Sequence, residues 1–244
     1  MERLKHFRGT QRKFTASTRG GGLIKLPRMD ANQIVNGLIF YLGLVILLTF
    51  HEFAHAWMAS KCGDDTARLQ GRLSLNPIVH IDPIGTVLLP LIMIFASPTV
   101  GRFLVGWAKP VPFNPGRLNN RFRDEMLIAM AGPAMNVVLA VALVGFARIT
   151  VMFGSEDVTG LLLQMAGLSL VLCFFNLIPI PPLDGSHVLR NLSGMTYETY
   201  FNLSRFGFIA IILVLQIPGV RYALSVLVGG TLDALVFCFG FPSQ

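Results

Sequence analysis

Charge is what this chain has least of. Asp, Glu, Lys and Arg supply 14% of its 244 residues, whereas hydrophobic residues supply 53% and the mean hydropathy is +0.61. An ordinary soluble domain carries about a quarter of its residues as charges, so that class is excluded and a polytopic membrane protein is implied. Cysteine is equally scarce. Cys62, Cys173 and Cys238 form no CxxC pair and no even framework, which excludes a zinc ribbon and argues against a disulfide scaffold. In their apolar surroundings Cys173 and Cys238 read as small hydrophobes. The N-terminal stretch has no apolar run of the kind a secretory signal needs, and no internal repeat or low-complexity tract is present.

The charge that exists is unevenly placed. Residues 1 to 28 hold eight Lys or Arg against Glu2 alone, which accounts for the whole formal excess of +7. A basic stretch without apolar periodicity is expected to be a disordered tail, residues 1–32, drawn to anionic headgroups rather than to nucleic acid. Its acid-poor character leaves an organelle transit peptide open.

Downstream, apolar runs at about 34–59, 126–153, 158–178, 201–217 and 223–241 are candidates for spanning helices, since about 20 residues cross the hydrocarbon. Between the first two, Ala67 to Leu75 alternates apolar with polar residues and predicts a half-buried strand. The run 84–96 is short. It leads towards Lys109-Pro110-Val111-Pro112-Phe113, whose alternate prolines force an extended, edge-type backbone. Residues 84–113 therefore read as a re-entrant hairpin or short helix pair. The expected fold is an all-α polytopic membrane protein, a bundle of about five to six transmembrane helices with a small β or re-entrant element. Residues 33–195 are expected to form its membrane core, which carries the candidate chemistry below, and 196–244 its C-terminal transmembrane helices.

The chemistry concentrates in two places. His51-Glu52-Phe53-Ala54-His55 puts two imidazoles on one helix face, where they can converge on a metal ion, with Glu52 beside them to move a proton. Set against that is an ion or proton path, which also uses intramembrane His and Glu. A catalytic zinc keeps three protein ligands, and a carboxylate is the preferred third beside two imidazoles. Asp184 is the leading candidate, with a helix N-cap as its bland alternative. His187 and His80 are rivals. Glu52 fits a general base. Asn176, eight residues before Asp184, is placed to hold a scissile carbonyl or oxyanion, or else to bond a neighbouring helix. Asn136, at membrane depth, needs a polar partner. It is either a packing contact or, with Lys109, Pro110 and Val111, part of a substrate site.

The helix of His51-Glu52-x-x-His55, the Gly132-Pro133-x-x-Asn136 helix and the stretch Asn176-x-x-Pro179-x-Pro181-x-x-Asp184-Gly185, in that order on membrane segments, resemble the site-2 protease family of intramembrane zinc metalloproteases. The resemblance spans about residues 34–195. It implies a zinc metalloendopeptidase holding one Zn2+ per chain through His51, His55 and Asp184, with Glu52 as base and Asn176 as carbonyl binder. It implies cleavage of peptide bonds in or near transmembrane segments of a membrane protein substrate. A non-proteolytic zinc-binding protein and an ion or proton transporter are the alternatives. No insertion is large enough for a PDZ domain and the tail is too short for a CBS pair, so a minimal member is expected. Parity puts Asp184 on the face where His51 ends, provided 84–113 makes no net crossing. Basic loops on that face point to the cytoplasm, by the positive-inside rule, in what is expected to be a bacterial cytoplasmic membrane.

Overall fold

A computed structural model describes residues 31–96 and 107–241; the basic N-terminal stretch expected to be a tail lies outside the described residues. The chain is helical almost throughout. Helix α1 (Ala31–Lys61) is followed by the short α2 (Thr66–Leu69), a 3-10 turn (Pro77–Val79), a π-helical turn (Pro83–Leu88) and α3 (Leu89–Ala96). An irregular strap, 107–114, leads through a 3-10 turn into α4 (Arg121–Met152), α5 (Glu156–Asn176), α6 (Asp184–Ser193), α7 (Tyr197–Ser204), α8 (Gly207–Gln216) and α9 (Pro218–Cys238). Helices α1, α4, α5 and α9 are long and apolar enough to cross a membrane, and α7 with α8 would add a fifth span bent by 62°. The protein is thus an all-α integral membrane protein with four or five spans among the described residues, against the five to six expected.

Two faces of α1 show how the sequence sets this arrangement. Leu44, Leu47, Leu48, His51 and His55 recur at helical spacing and are buried, the leucines packing with Ala108 and with Met165, Leu168 and Leu172 of α5. Val35, Leu38, Leu42 and Ile46 recur at the same spacing on another face and are exposed. An apolar stripe on each side means core on one and lipid on the other. Helices α4 and α5 pack through Ala140, Val144, Ala166 and Leu170, with α9 against them through Leu232 and Val236. Small residues at these contacts let the backbones approach, which is the main source of packing where lipid is as apolar as Leu.

The expected small β element is not seen. Residues 67–75 form part of α2 and an irregular turn, and among the described residues there is no strand. Period two failed here for a physical reason: it assumes that apolar side chains point inward and polar ones outward. Leu69 and Leu75 are instead 76% and 51% exposed, while Arg72 is buried and donates to the Val79 carbonyl. The strap is held at its ends. Trp107 N–H donates to the Gly85 carbonyl and Lys109 N–H to that of His80, so the start of the strap lies beside residues 80–85. At the far end Asn114 N–H donates to the fully buried Asp64 carboxylate.

Candidate metal centre

The site is assembled by three helices. From α1 come His51 and His55, whose Nε2 atoms are 3.1 Å apart. From the first turn of α6 comes Asp184, with Oδ2 at 3.2 Å from His51 Nε2 and Oδ1 at 3.3 Å from His55 Nε2. Among the described residues these three are the group of His, Cys, Asp and Glu whose ligand atoms gather within 4.8 Å. Asp184 is not a cap: the N-cap position belongs to Leu183, and no side chain caps the helix. Gly185 is required beside it, because a Cβ there would strike the Leu177 and Ile178 backbone where α5 ends.

The third helix, α4, orients the ligands. His55 Nδ1 lies 2.7 Å from the Ile128 carbonyl. A carbonyl only accepts, so the ring proton sits on Nδ1 and the Nε2 lone pair faces Asp184. His51 Nδ1 lies 3.1 Å from the Asn136 amide nitrogen, while Asn136 Oδ1 is buried without a partner. Amide oxygen and nitrogen are assigned from such networks. Turned over, the amide would give Oδ1 to a His51 Nδ1–H and the orphan would vanish. Gly132 completes the cradle, since a Cβ there would overlap both imidazoles.

A zinc ion fits these donors. Two imidazole lone pairs and a carboxylate converge with spacings of 3.1, 3.2 and 3.3 Å. Tetrahedral ligands at about 2.0–2.1 Å from a zinc stand about 3.3 Å apart. Asp184 Oδ2 is buried and has no hydrogen-bond partner, as expected of an oxygen turned towards a cation rather than a proton.

Beside the donors lies a cavity of about 520 Å³, lined among others by His51, Glu52, His55, Asn176, Asp184 and His187 and by the apolar Leu48, Phe175 and Ile211. Glu52 sits one residue from a ligand yet on the cavity wall, free to reach water. Asn176 Nδ2 donates to the Leu172 carbonyl at 2.9 Å, which leaves its second amide hydrogen. Pro110 and Val111 line the cavity, whereas Lys109 is exposed and takes no part in the lining. Asn136 is fully buried against His51, away from the cavity. His80 is buried and bonded to the Ser74 carbonyl, and His187 bonds Tyr200; neither joins the donor group.

One functional feature is absent from the sequence reading. Glu125 and Arg190, both buried, form an ion pair, and the Tyr197 hydroxyl donates to the same carboxylate. Arg190 stacks over the Tyr197 ring at 3.9 Å. The pair clamps α6 to the start of α4, six residues beyond Asp184. A buried charge of each sign within two loop-flanked helices was the available signal.

No solved structure matches the chain. The sequence matches peptidase family M50 over residues 39–156 and 154–215. It is 35% identical to the Bacillus subtilis (strain 168) protein named "Putative zinc metalloprotease YwhC", over 80% of this chain and 88% of that one. It is 30% identical to the protein of the same description named Rip2 from Mycolicibacterium smegmatis, over 73% of this chain and 67% of that one. A Mycobacterium tuberculosis (strain ATCC 25618 / H37Rv) Rip2 is 24% identical, over 82% and 76% respectively. The ordered motifs, the gathered donor set and these matches agree, and the chain belongs to peptidase family M50, the zinc metalloproteases of site-2 protease type.

Proposed function

We propose that this chain is an intramembrane zinc endopeptidase, cleaving peptide bonds in or near the transmembrane segments of membrane proteins, with one zinc per chain held by His51, His55 and Asp184. The observation that carries the reading is the gathering of two imidazoles and a carboxylate on the wall of an apolar cavity enclosed by lipid-facing helices. When bound, zinc supplies Lewis acidity, polarising the scissile carbonyl and making water more acidic.

The chain's own residues do the rest. Glu52 takes the proton of the attacking water and returns it to the departing amine. Asn176 directs its second amide hydrogen at the scissile carbonyl oxygen, where negative charge develops. A helical peptide bond is shielded by its own hydrogen bonds, so the substrate unwinds before attack, and unwound backbone in lipid is costly unless paired. The strap supplies that pairing. Its prolines keep residues 110–112 extended, and among the described residues nothing bonds the Val111 N–H, so a substrate segment adds to it edge-on. Pro110 and Val111 shape the groove, with Lys109 at its rim.

Residues 33–195 act as the catalytic core and 196–244 as helices that close it. Lys61, Arg68, Arg117, Arg121 and Arg123 are exposed at the end of the bundle where the donors lie. This supports an active site near the cytoplasmic face of a bacterial membrane, while Arg72 and Arg190 are buried on internal acceptors and carry no weight in that count. The test is the Glu52→Gln protein in detergent with a fluorescent transmembrane peptide. Zinc content of one per chain with cleavage abolished supports the reading. Undiminished cleavage by Glu52→Gln, or no zinc in the wild type, refutes it.

A further inference from the structure

His187 stands on the cavity wall one helical turn beyond Asp184, and the mechanism above leaves it idle. Its hydrogen bonds fix where its proton lies. The Leu183 carbonyl accepts from the Ser186 hydroxyl at 2.6 Å, and a carbonyl has nothing to donate. Ser186 Oγ, having given its only proton, must accept from the Tyr200 hydroxyl 2.9 Å away. Tyr200, having given its proton in turn, must accept from His187 Nε2–H at 3.0 Å. Burial foremost lowers the His187 pKa, against the pull of Asp184 and with the help of Arg190. A neutral imidazole protonated at Nε2 carries a bare lone pair at Nδ1. Among the described residues nothing bonds to that atom, it is not sealed from solvent, and its ring lines the cavity. Phe113 of the strap lies edge-on to the ring at 6.2 Å between centroids, so the imidazole stands beside the segment proposed to hold substrate.

We infer that His187 Nδ1 accepts a backbone N–H of the unwound substrate beside the scissile bond, its tautomer imposed by the relay Leu183, Ser186, Tyr200. The inference rests on the protease reading. The relay makes His187 a substrate-binding residue with a fixed acceptor, and makes Tyr200 and Ser186 positioning residues. An unwound peptide presents N–H groups that lipid cannot satisfy, and a preformed acceptor offsets that cost at one register only, so it also selects which bond lies against Glu52.

The test uses full-length, zinc-loaded protein carrying Glu52→Gln, so that binding is read without cleavage. The probe is a labelled Leu/Ala transmembrane peptide with a central Gly-Ser pair, measured by fluorescence anisotropy, with single backbone amides replaced in turn by esters. His187→Ala should weaken binding up to about tenfold, the range of one hydrogen bond. One ester position should cost the His187 protein the same and the Ala variant nothing more. His187→Asn, whose Oδ1 stands near the place of Nδ1, should recover most of the loss. Zinc affinity should not move. Independently of any substrate, 15N NMR should find His187 protonated at Nε2 and bare at Nδ1, with the two forms mixing in Tyr200→Phe. Additive losses at every ester position, unchanged or unmeasurable peptide binding, loss of zinc in His187→Ala, or a proton at Nδ1 would each overturn the inference. Cleavage that persists in Glu52→Gln would instead undo the protease reading and leave the tautomer result standing.

Discussion

Gly132→Ala separates metal binding from folding. A Cβ at Gly132 would come to 2.5 Å from His51 Cε1 and 2.6 Å from His51 Nε2, and nearer still to His55 Nε2, where ordinary contacts begin at 3.4 Å. Relief needs a shift of at least about 0.9 Å at His51 and more at His55. Neither ring can yield easily, because His55 is tied to the Ile128 carbonyl and His51 to Asn136. Zinc ligands tolerate departures of about 0.2 Å, so the strain falls on the donor geometry. Zinc affinity should drop at least about a hundredfold, about 2.8 kcal/mol. The metal-free protein should lose no more than about 2 kcal/mol. Ala is favoured over Gly in a helix by about 1 kcal/mol, against about 1–3 kcal/mol for overpacking a core. Competition with a fluorescent zinc indicator gives the affinity, and thermal unfolding in chelator gives the apo stability. Gly160→Ala, with nothing near its Cβ, is the control and should leave zinc binding alone. Zinc binding by Gly132→Ala within threefold of wild type would refute the cradle.

Three further outcomes follow from the contacts. Asn136→Leu should lower zinc affinity about 10- to 100-fold, the usual effect of losing the partner of a ligating imidazole, whereas Asn136→Asp, which still accepts at His51 Nδ1, should retain it in the same competition assay. Glu125→Gln should destabilise the protein by about 3–5 kcal/mol in chemical unfolding, because it strands the buried Arg190, and pairing it with Arg190→Met should recover most of that. Asp64 titrates low: burial pushes its pKa up, but bonds from the Thr66 hydroxyl and the Asn114 and Thr66 amides more than compensate. A depressed folded-state value gives stability that is complete above the ordinary carboxylate range and lost as pH falls through the folded value. Asp64→Asn should therefore flatten the acid limb of a melting-temperature profile between pH 7 and 3.

The long helices were legible because length and apolarity suffice for a span, and the boundaries of α1, α4 and α5 fall within a few residues of the runs 34–59, 126–153 and 158–178. The donors were legible because helical spacing puts His51 and His55 on one face and parity brings Asp184 to the same end. What stayed hidden depends on solvent. At residues 67–75 the alternation could not reveal that Leu69 and Leu75 turn outward and Arg72 inward, since beside a bilayer the outside is apolar too. Gly132 was visible in its motif beside Pro133 and Asn136, but nothing in the motif shows that the group packed against it is a pair of imidazoles. Asn136 called for a polar partner, and only the packed helices show that the partner is His51 of the gathered donor set.

These contacts share an origin. Glu125, Ile128, Gly132 and Asn136 recur at intervals of three and four along α4, so they form one stripe on one helix face. That stripe meets α6 through Arg190, His55 through the Ile128 carbonyl, both imidazoles through the missing Cβ of Gly132, and His51 through the Asn136 amide. Helix α4 contributes none of the gathered donors, yet its rise of 1.5 Å per residue sets the spacing between the two elements that carry them. Asn136 is itself pinned, since Ser169 of α5 donates to its backbone carbonyl at 2.7 Å. A rotation of α4 by one residue would displace every contact at once, so the donor geometry is a property of how α4 packs between α1, α5 and α6. Changes to the α4–α5 packing far from the donors, at Ala140 or Val144, should thus register in zinc affinity before they register in the helical content of the protein.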